Sequence, residues 1–155
     1  MTEARAQIWS TLLIAFVSIT LCLSAKAQET DALMLRGRAN GRFTLLTGIA
    51  QGKMVFIGKG GANDGQVNPT LVAHEGDVVQ VTLINGEGAE HDIVFPDVRA
   101  SSQRVIGPGA SSTLVFKATD IGSFVYFCSV PGHREAGMEG LLKVEAACQK
   151  LPQAA

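Results

Sequence analysis

Residues 122–138 read GSFVYFCSVPGHREAGM and hold three side chains that bind soft metals within one short stretch. The run 122–128 alternates in the manner of a β-strand. A Pro-Gly pair then turns the chain back, so that Cys128 and His133 can converge, and Met138 follows just before the next apolar run. The stretch therefore predicts a strand that ends in a metal-binding loop.

A fourth candidate ligand, His91, lies upstream at the start of another short apolar run. Two imidazoles, one thiolate and one thioether are the ligand set of a trigonal copper site with a weak axial methionine. In this assignment His91, Cys128 and His133 form the plane and Met138 is the axial ligand. Zinc is the alternative metal, although zinc is more often held by several thiolates or imidazoles in a closed tetrahedral site. A ligand set that accepts both Cu(I) and Cu(II) suits one-electron transfer.

Short β-type runs separated by turn residues make up most of the chain. We predict strands at 42–47, 53–57, 70–73, 77–84, 91–95, 112–117, 122–128 and 140–145, with a loop or brief helical turn within 97–109. The run 77–84 is the clearest, because Val79, Val81 and Leu83 alternate with polar residues. Many short strands and no long helix are typical of an antiparallel β-sandwich or barrel. The loop 58–65 lacks a Gly-Lys-Ser/Thr phosphate motif and is predicted to be a flexible connection.

The N-terminal segment has the layout of a helical secretory signal peptide. Residues 8–23 are mostly apolar, and a small-residue site that ends at Ala27 follows them. The alternative, an uncleaved membrane anchor, needs a longer apolar core. Cleavage would remove Cys22 and leave Cys128 and Cys148. We therefore expect export to an oxidising compartment, the bacterial periplasm, with no membrane span after cleavage.

Length and charge narrow the function further. The 155 residues suffice for one domain, and 13 basic against 14 acidic residues argue against a partner made of nucleic acid. We divide the chain into a signal peptide at 1–27, a lead-in at 28–40, a β domain at 41–145 and a tail at 146–155. Cys148, in the tail, is expected to be a free thiol.

The ligand loop also carries a resemblance to a known family. Residues 128–140, CSVPGHREAGMEG, resemble the copper loop of the cupredoxins, the blue copper proteins. Three upstream segments, 43–50, 68–76 and 85–92, resemble the extra N-terminal cupredoxin domain fused to some copper-containing nitrite reductases. The resemblance covers 41–145, and it implies a Greek-key β-sandwich with one type 1 copper at one end.

The same resemblance implies where electrons enter and leave. His133 would lie near the surface in an apolar patch with Pro131, Gly132, Ala136 and Gly88, and would serve as the electron port. Redox partners would dock weakly there. We expect a c-type cytochrome as donor and a nitrite reductase or another terminal reductase as acceptor.

Catalysis at a second copper would need more histidines than the sequence offers. The chain has three. In the catalytic nitrite reductase domain a histidine directly precedes the copper cysteine, where this chain has Phe127, and the segment after His91 holds none. The remaining His74 is expected to be an ordinary surface residue. We therefore expect an electron carrier; the alternatives are a detached domain of a nitrite reductase or multicopper oxidase-type enzyme, or a copper storage or delivery protein.

One departure from the family concerns the residue after the upstream histidine. Many cupredoxins carry asparagine there, and this chain carries Asp92. We expect Asp92 to tie its strand to the ligand loop by hydrogen bonding near Ser129. An ionised carboxylate in that place should favour Cu(II) and lower the reduction potential.

Overall fold

A computed structural model describes residues 39–147. The predicted signal peptide, most of the lead-in, Cys22 and Cys148 lie outside the described residues. The described part contains nine strands: β1 (Gly41–Ala50), β2 (Lys53–Gly58), β3 (Leu71–His74), β4 (Val78–Ile84), β5 (Val94–Phe95), β6 (Ala100–Ser101), β7 (Ser111–Lys117), β8 (Gly122–Phe127) and β9 (Glu139–Glu145). A single 3-10 turn at Gly61–Asn63 interrupts the loop after β2 in this part of the chain. No apolar helix of membrane-spanning length occurs among residues 39–147.

The strands form two sheets that pack face to face. One sheet has the order β2-β1-β4-β7 and the other the order β3-β9-β8-β5-β6. The predicted all-β Greek-key sandwich is thereby confirmed. The pairing is not purely antiparallel, however, because β1 pairs with β4 and β3 pairs with β9 in parallel. Alternation of apolar and polar residues has the same period in both kinds of pair, so the sequence pattern could not reveal strand direction.

Two predicted segments differ from the structure. The strand predicted at 91–95 is reduced to Val94–Phe95, and His91 makes only an isolated bridge to Val105. The segment 97–109, predicted as a loop or helical turn, contains the short strand β6, which pairs with β5. Both differences arise from non-local partners, since residues far along the chain provide the pairing that decides these short strands.

The core lies between the two sheets and is built on the predicted alternation. Val79, Val81 and Leu83 are fully buried, while Gln80 and Thr82 keep partial exposure. Four aromatic rings close the gap between the sheets, with centroids 5.2 to 5.5 Å apart: Phe56, Phe95, Phe116 and Tyr126. Such ring pairs each contribute about 1 kcal/mol beyond their buried area.

Strand register places the four candidate ligands at one end of the sandwich. β8 and β9 pair through Phe127 and Glu139, so the loop 128–138 leaves and re-enters the sheet at the same level. β5 pairs with β8 through Val94 and Phe127. His91 stands three residues before Val94, and it therefore arrives beside the loop from the neighbouring strand.

Candidate metal centre

Three potential ligand atoms form a small triangle at this end of the sandwich. Cys128 Sγ lies 3.6 Å from His133 Nδ1 and 3.9 Å from His91 Nδ1, and the two Nδ1 atoms are 3.2 Å apart. The circle through these three atoms has a radius of about 2.1 Å, which matches metal bonds to imidazole nitrogen and falls slightly short of those to thiolate sulfur. The donors thus fit one metal ion in or near their common plane.

Burial shifts the pKa values of two members of this triangle, Cys128 and His133. His91 and Cys128 are no more than 1% exposed, whereas His133 is partly exposed. Burial raises the pKa of the Cys128 thiol, an effect that backbone N–H groups of Asp92 and Val130 directed at the sulfur oppose. Burial and the neighbouring His91 lower the pKa of His133. Neutral imidazoles and a thiol that ionises when a metal replaces its proton are the forms that soft metals bind.

Met138 is tied to the same loop through its backbone and is completely buried. Its N–H donates to the carbonyl of His133 at 3.0 Å, and its carbonyl accepts from the N–H of Cys128 at 3.1 Å. The preceding carbonyl, of Gly137, accepts a hydrogen bond of 2.7 Å from the side-chain amide of Asn68. The structure therefore brings the predicted axial residue beside Cys128, in a fixed main-chain position.

The loop 128–138, termed the ligand loop below, is fastened to the sheet by an arginine. The Arg134 guanidinium lies 4.2 Å from the centroid of the Phe127 ring and forms an ion pair with Glu139. Phe127 and Glu139 are paired across β8 and β9. Arg134 thus links the two strands on either side of the loop. Arg134, Phe127 and Glu139 each directly precede or follow a candidate ligand in the chain.

Asp92 connects the upstream segment to the ligand loop. Its Oδ1 accepts the Ser129 N–H at 2.6 Å, and its Oδ2 accepts the Ser129 hydroxyl at 2.5 Å. The carboxylate is buried, with Arg104 Nε 3.9 Å from Oδ2. The structure thus brings together the two residues that we expected to meet; their effect on the reduction potential stays a prediction.

Glu87 makes a contact with His91 that the sequence pattern does not predict. Its carboxylate accepts a hydrogen bond from His91 Nε2, the ring nitrogen remote from Cys128. The sequence shows only an acidic residue four positions before a histidine, within a turn. Whether such a turn folds its side chain inward depends on contacts with distant residues, and those are visible only in the structure.

The residues predicted to surround His133 keep access to solvent, and their grouping into one patch stays a prediction. Pro131 and Gly132 are exposed, and Ala136 and Gly88 are partly exposed. Ile106, which the sequence did not single out, is 70% exposed and follows Val105, the bridge partner of His91.

The third histidine of the chain does not join the metal-ligand triangle. The His74 side chain is half exposed, with Nδ1 3.6 Å from Asp77 Oδ2. Among the described residues, the only cluster of at least three potential His, Cys or carboxylate ligands is that of His91, Cys128 and His133.

Comparison with known proteins places these features in a family. Residues 44–145 match the model of copper binding proteins of the plastocyanin/azurin family. A copper-containing nitrite reductase of Rhizobium sullae is 38% identical over an alignment of 112 residues that covers 62% of this chain and 30% of that protein. The chain thus spans less than a third of the length of that relative. A copper-resistant cuproprotein, CopI, of Rubrivivax gelatinosus is 30% identical over 48% of this chain and 56% of its own.

Solved structures of other proteins share the fold of this chain. The copper nitrite reductase of Nitrosomonas europaea superposes with a TM-score of 0.52 and 26% identity, covering 73% of this chain and 44% of that one. Auracyanin B gives a TM-score of 0.52 at 17% identity, covering 68% of this chain and 89% of its own. The similarity to auracyanin B concerns the fold alone.

Proposed function

Because the chain belongs to the plastocyanin/azurin family of copper-binding proteins, we propose that it carries single electrons on one type 1 copper ion. His91, Cys128 and His133 would hold the ion in a plane, and Met138 would be the weak axial ligand. The bound copper supplies the one-electron redox couple. The protein supplies the fixed positions of the ligand atoms and the exclusion of water from most of the site.

The observation that carries the proposal is the ligand-atom triangle together with its burial. The three donors stand 3.2 to 3.9 Å apart in the folded chain, with Cys128 and His133 in the ligand loop and His91 on the segment before β5. A site in which the fold sets the ligand positions changes little when the electron arrives or leaves, and this favours rapid transfer. Partial exposure of His133 gives the electron a short path to the surface.

We further propose that the protein works in the periplasm, which rests on the signal-peptide pattern of residues 1–27. Redox partners would dock at the surface around His133, formed by Pro131, Gly132, Ala136 and Gly88. The similarity to nitrite reductases supports a reductase of that kind as electron acceptor, and a c-type cytochrome is the proposed donor. Small, weak interfaces are usual for such encounters.

We propose electron transfer without catalysis because the chain has only three histidines. Two of them belong to the proposed copper plane, and the third, His74, lies with its Nδ1 3.6 Å from Asp77 Oδ2. The competing function is that of a domain in a nitrite reductase-type enzyme, which the similarity to part of such enzymes favours. A nitrite-reduction assay on the copper-loaded protein tests it, since measurable turnover with an artificial electron donor would contradict the carrier function.

The decisive experiment is a visible and EPR spectrum of the copper-loaded protein. We expect a strong thiolate-to-copper absorption band that disappears in Cys128→Ser. The matched control is Cys148→Ser, which changes the other cysteine outside the signal peptide and should leave the band intact. A colourless protein with full copper occupancy would overturn the proposal.

Storage or delivery of copper is the second alternative, and the similarity to CopI is the observation that favours it. The burial of Cys128 and His91 argues for retention of the metal. Copper release to an external chelator separates the two functions. We expect slow release, and rapid exchange would favour delivery.

A further inference from the structure

We infer that Glu87 is a positioning residue for the copper: its carboxylate fixes the His91 imidazole in the tautomer and orientation that offer Nδ1 to the metal. This inference rests on the proposed function, in which His91 is a copper ligand. It adds a residue outside the four ligands, and it explains why a buried histidine carries an acidic neighbour.

The first step is the contact itself. The Glu87 carboxylate meets Nε2 of His91, while Nδ1 of the same ring faces Cys128 and His133 at 3.9 and 3.2 Å. A carboxylate oxygen accepts hydrogen bonds, so this contact favours the tautomer that carries the ring proton on Nε2. The lone pair of Nδ1 is then directed towards the other two donors, as metal binding requires.

The second step is that burial and backbone hydrogen bonds already restrict the position of the His91 ring. The His91 side chain is completely buried. Its backbone is held on both sides by Val105, through His91 N–H to the Val105 carbonyl at 3.1 Å and the reverse bond at 2.7 Å. Rotation of the imidazole about its own side chain is the remaining freedom, and the Glu87 hydrogen bond opposes it.

The third step is that the turn is built to place Glu87. The buried side chain of Asn85 accepts from the N–H groups of Glu87 and Gly88 at 3.1 and 2.8 Å. The same side chain donates to the carbonyls of Ala89 and Val105 at 2.5 and 3.2 Å. Asn85 thus fixes the backbone around Glu87 and joins it to the segment that holds His91.

Glu90 shows that an acidic residue close to His91 in the sequence does not necessarily contact its ring. Glu90 directly precedes His91, yet its carboxylate pairs with Arg104 at 2.9 Å. The Glu90 side chain is 38% exposed, compared with 20% for Glu87. The two residues carry the same charge near the same ligand, but the carboxylate of Glu87 holds the ring. Glu90 is therefore a matched control for the charge alone.

Partners of this kind act by fixing the ligand ring and by raising its basicity. Loss of such a partner typically lowers metal affinity by about 10- to 100-fold. The negative charge of Glu87 also favours Cu(II) over Cu(I), so its removal should raise the reduction potential. A positioning role thus predicts two effects, one on geometry and one on charge, that different substitutions can separate.

The test compares Glu87→Ala, Glu87→Gln and Glu90→Gln in the copper-loaded protein. We expect Glu87→Ala to lower Cu(II) affinity by about 10- to 100-fold in a chelator competition. Glu87→Gln keeps an oxygen that can accept a hydrogen bond from Nε2–H, so this variant should retain more Cu(II) affinity than Glu87→Ala. Loss of the negative charge should raise its reduction potential. Glu90→Gln should change affinity by less than about threefold, as expected for an exposed ion pair. Equal losses in Glu87→Ala and Glu90→Gln, or no loss in Glu87→Ala, would overturn the inference.

A second measurement separates this inference from the proposed function. Nitrogen-15 NMR of the metal-free protein reports which ring nitrogen of His91 carries the proton. We expect an Nε2 proton in the wild type and in Glu87→Gln, and a mixture of tautomers in Glu87→Ala. This result would uphold the positioning role even if the copper spectrum contradicted electron transfer. An unchanged tautomer in a folded Glu87→Ala protein would refute it.

Discussion

The upstream turn (residues 85–92) and the ligand loop meet at the same metal centre but contribute in opposite ways. The ligand loop supplies three candidate ligands within eleven residues and places one of them, His133, at the surface. The upstream turn supplies a single candidate ligand, His91, and carries the buried polar side chains of Asn85 and Asp92. One side of the candidate site is thus rich in donors and open to solvent, and the other is rigid and closed.

This difference shows how a site can be accessible and fixed at once. The proposed electron transfer needs one ligand near the solvent, whereas a constant ligand geometry needs others that cannot move. The two requirements are met by different segments, which Asp92 and Ser129 join through two hydrogen bonds. Five predictions test this division and the core beneath it, beginning with the complete loss of the copper band.

Imidazole added to the solution should restore the copper site in only one of two variants that each lack a histidine. His91→Gly and His133→Gly should both abolish the thiolate-to-copper band, because each lacks one ligand of the plane. Added imidazole should restore the band in His133→Gly, since that position is partly open to solvent. It should fail in His91→Gly, where the vacated space is completely buried. Equal rescue of both variants, followed by visible absorption, would contradict the division into an open and a closed side.

Separation of the two segments should cost stability as well as change the potential. Asp92→Ala removes an acceptor that satisfies both the N–H and the hydroxyl of Ser129, and we expect a loss of about 2 kcal/mol in the free energy of unfolding. Urea denaturation of the metal-free protein measures it. Ser129→Ala is the control, which removes only the hydroxyl bond and should cost about 1 kcal/mol.

Asp92→Asn tests the charge of the same group. The substitution retains the shape of the side chain and removes its negative charge, so we expect a higher reduction potential. An unchanged potential would refute the idea that Asp92 favours Cu(II).

Replacing one glycine by alanine in each segment should destabilise the protein for a different physical reason. A Cβ at Gly86 would lie 2.3 Å from the carbonyl oxygen of Thr47, so Gly86→Ala forces backbone to move and should cost about 3 kcal/mol. Gly132 has open space around it but a φ of +83°. Gly132→Ala should therefore cost only about 1 kcal/mol, from backbone strain. Thermal unfolding of both variants would show whether the upstream turn is the more rigid segment; a larger loss in Gly132→Ala would contradict it.

A substitution in the core beneath both segments should have a small effect on stability at neutral pH. Tyr126 donates a hydrogen bond of 2.7 Å to the carbonyl of Pro69, and Tyr126→Phe should cost about 1 kcal/mol. Burial raises the pKa of Tyr126 well above its usual value. The unfolded chain therefore loses this proton at lower pH than the folded chain, and the contribution of Tyr126 to stability is present below about pH 10 and falls above it.

Ultraviolet titration can follow this ionisation directly, because Tyr126 is the sole tyrosine of the chain. We expect the phenolate absorbance to appear only as the protein unfolds. Ionisation at an ordinary pKa in a folded protein, as judged by circular dichroism, would show that the ring is not protected. Tyr126→Phe should weaken the decline in stability above pH 10.

The sequence was sufficient for most of the strands and for the four candidate ligands. The alternation in 77–84 predicted β4 because burial of one sheet face imposes that pattern on any half-buried strand. The ligand loop could be recognised because its donors are close in sequence, and their spacing around a turn is itself the signal. Parallel pairing of β1 with β4 could not be recognised, since strand direction leaves no mark on the period.

The sequence by itself thus determined the all-β class and the place of the ligand loop between two strands, and it predicted the donor set. Only the tertiary structure decided the width of the ligand-atom triangle, the meeting of Asp92 with Ser129 and the inward fold of Glu87 onto His91. The physical reason is the range of the interactions concerned. Turn chemistry and side-chain alternation act over a few residues, whereas these contacts depend on how the upstream turn, two sheets and the ligand loop pack against one another.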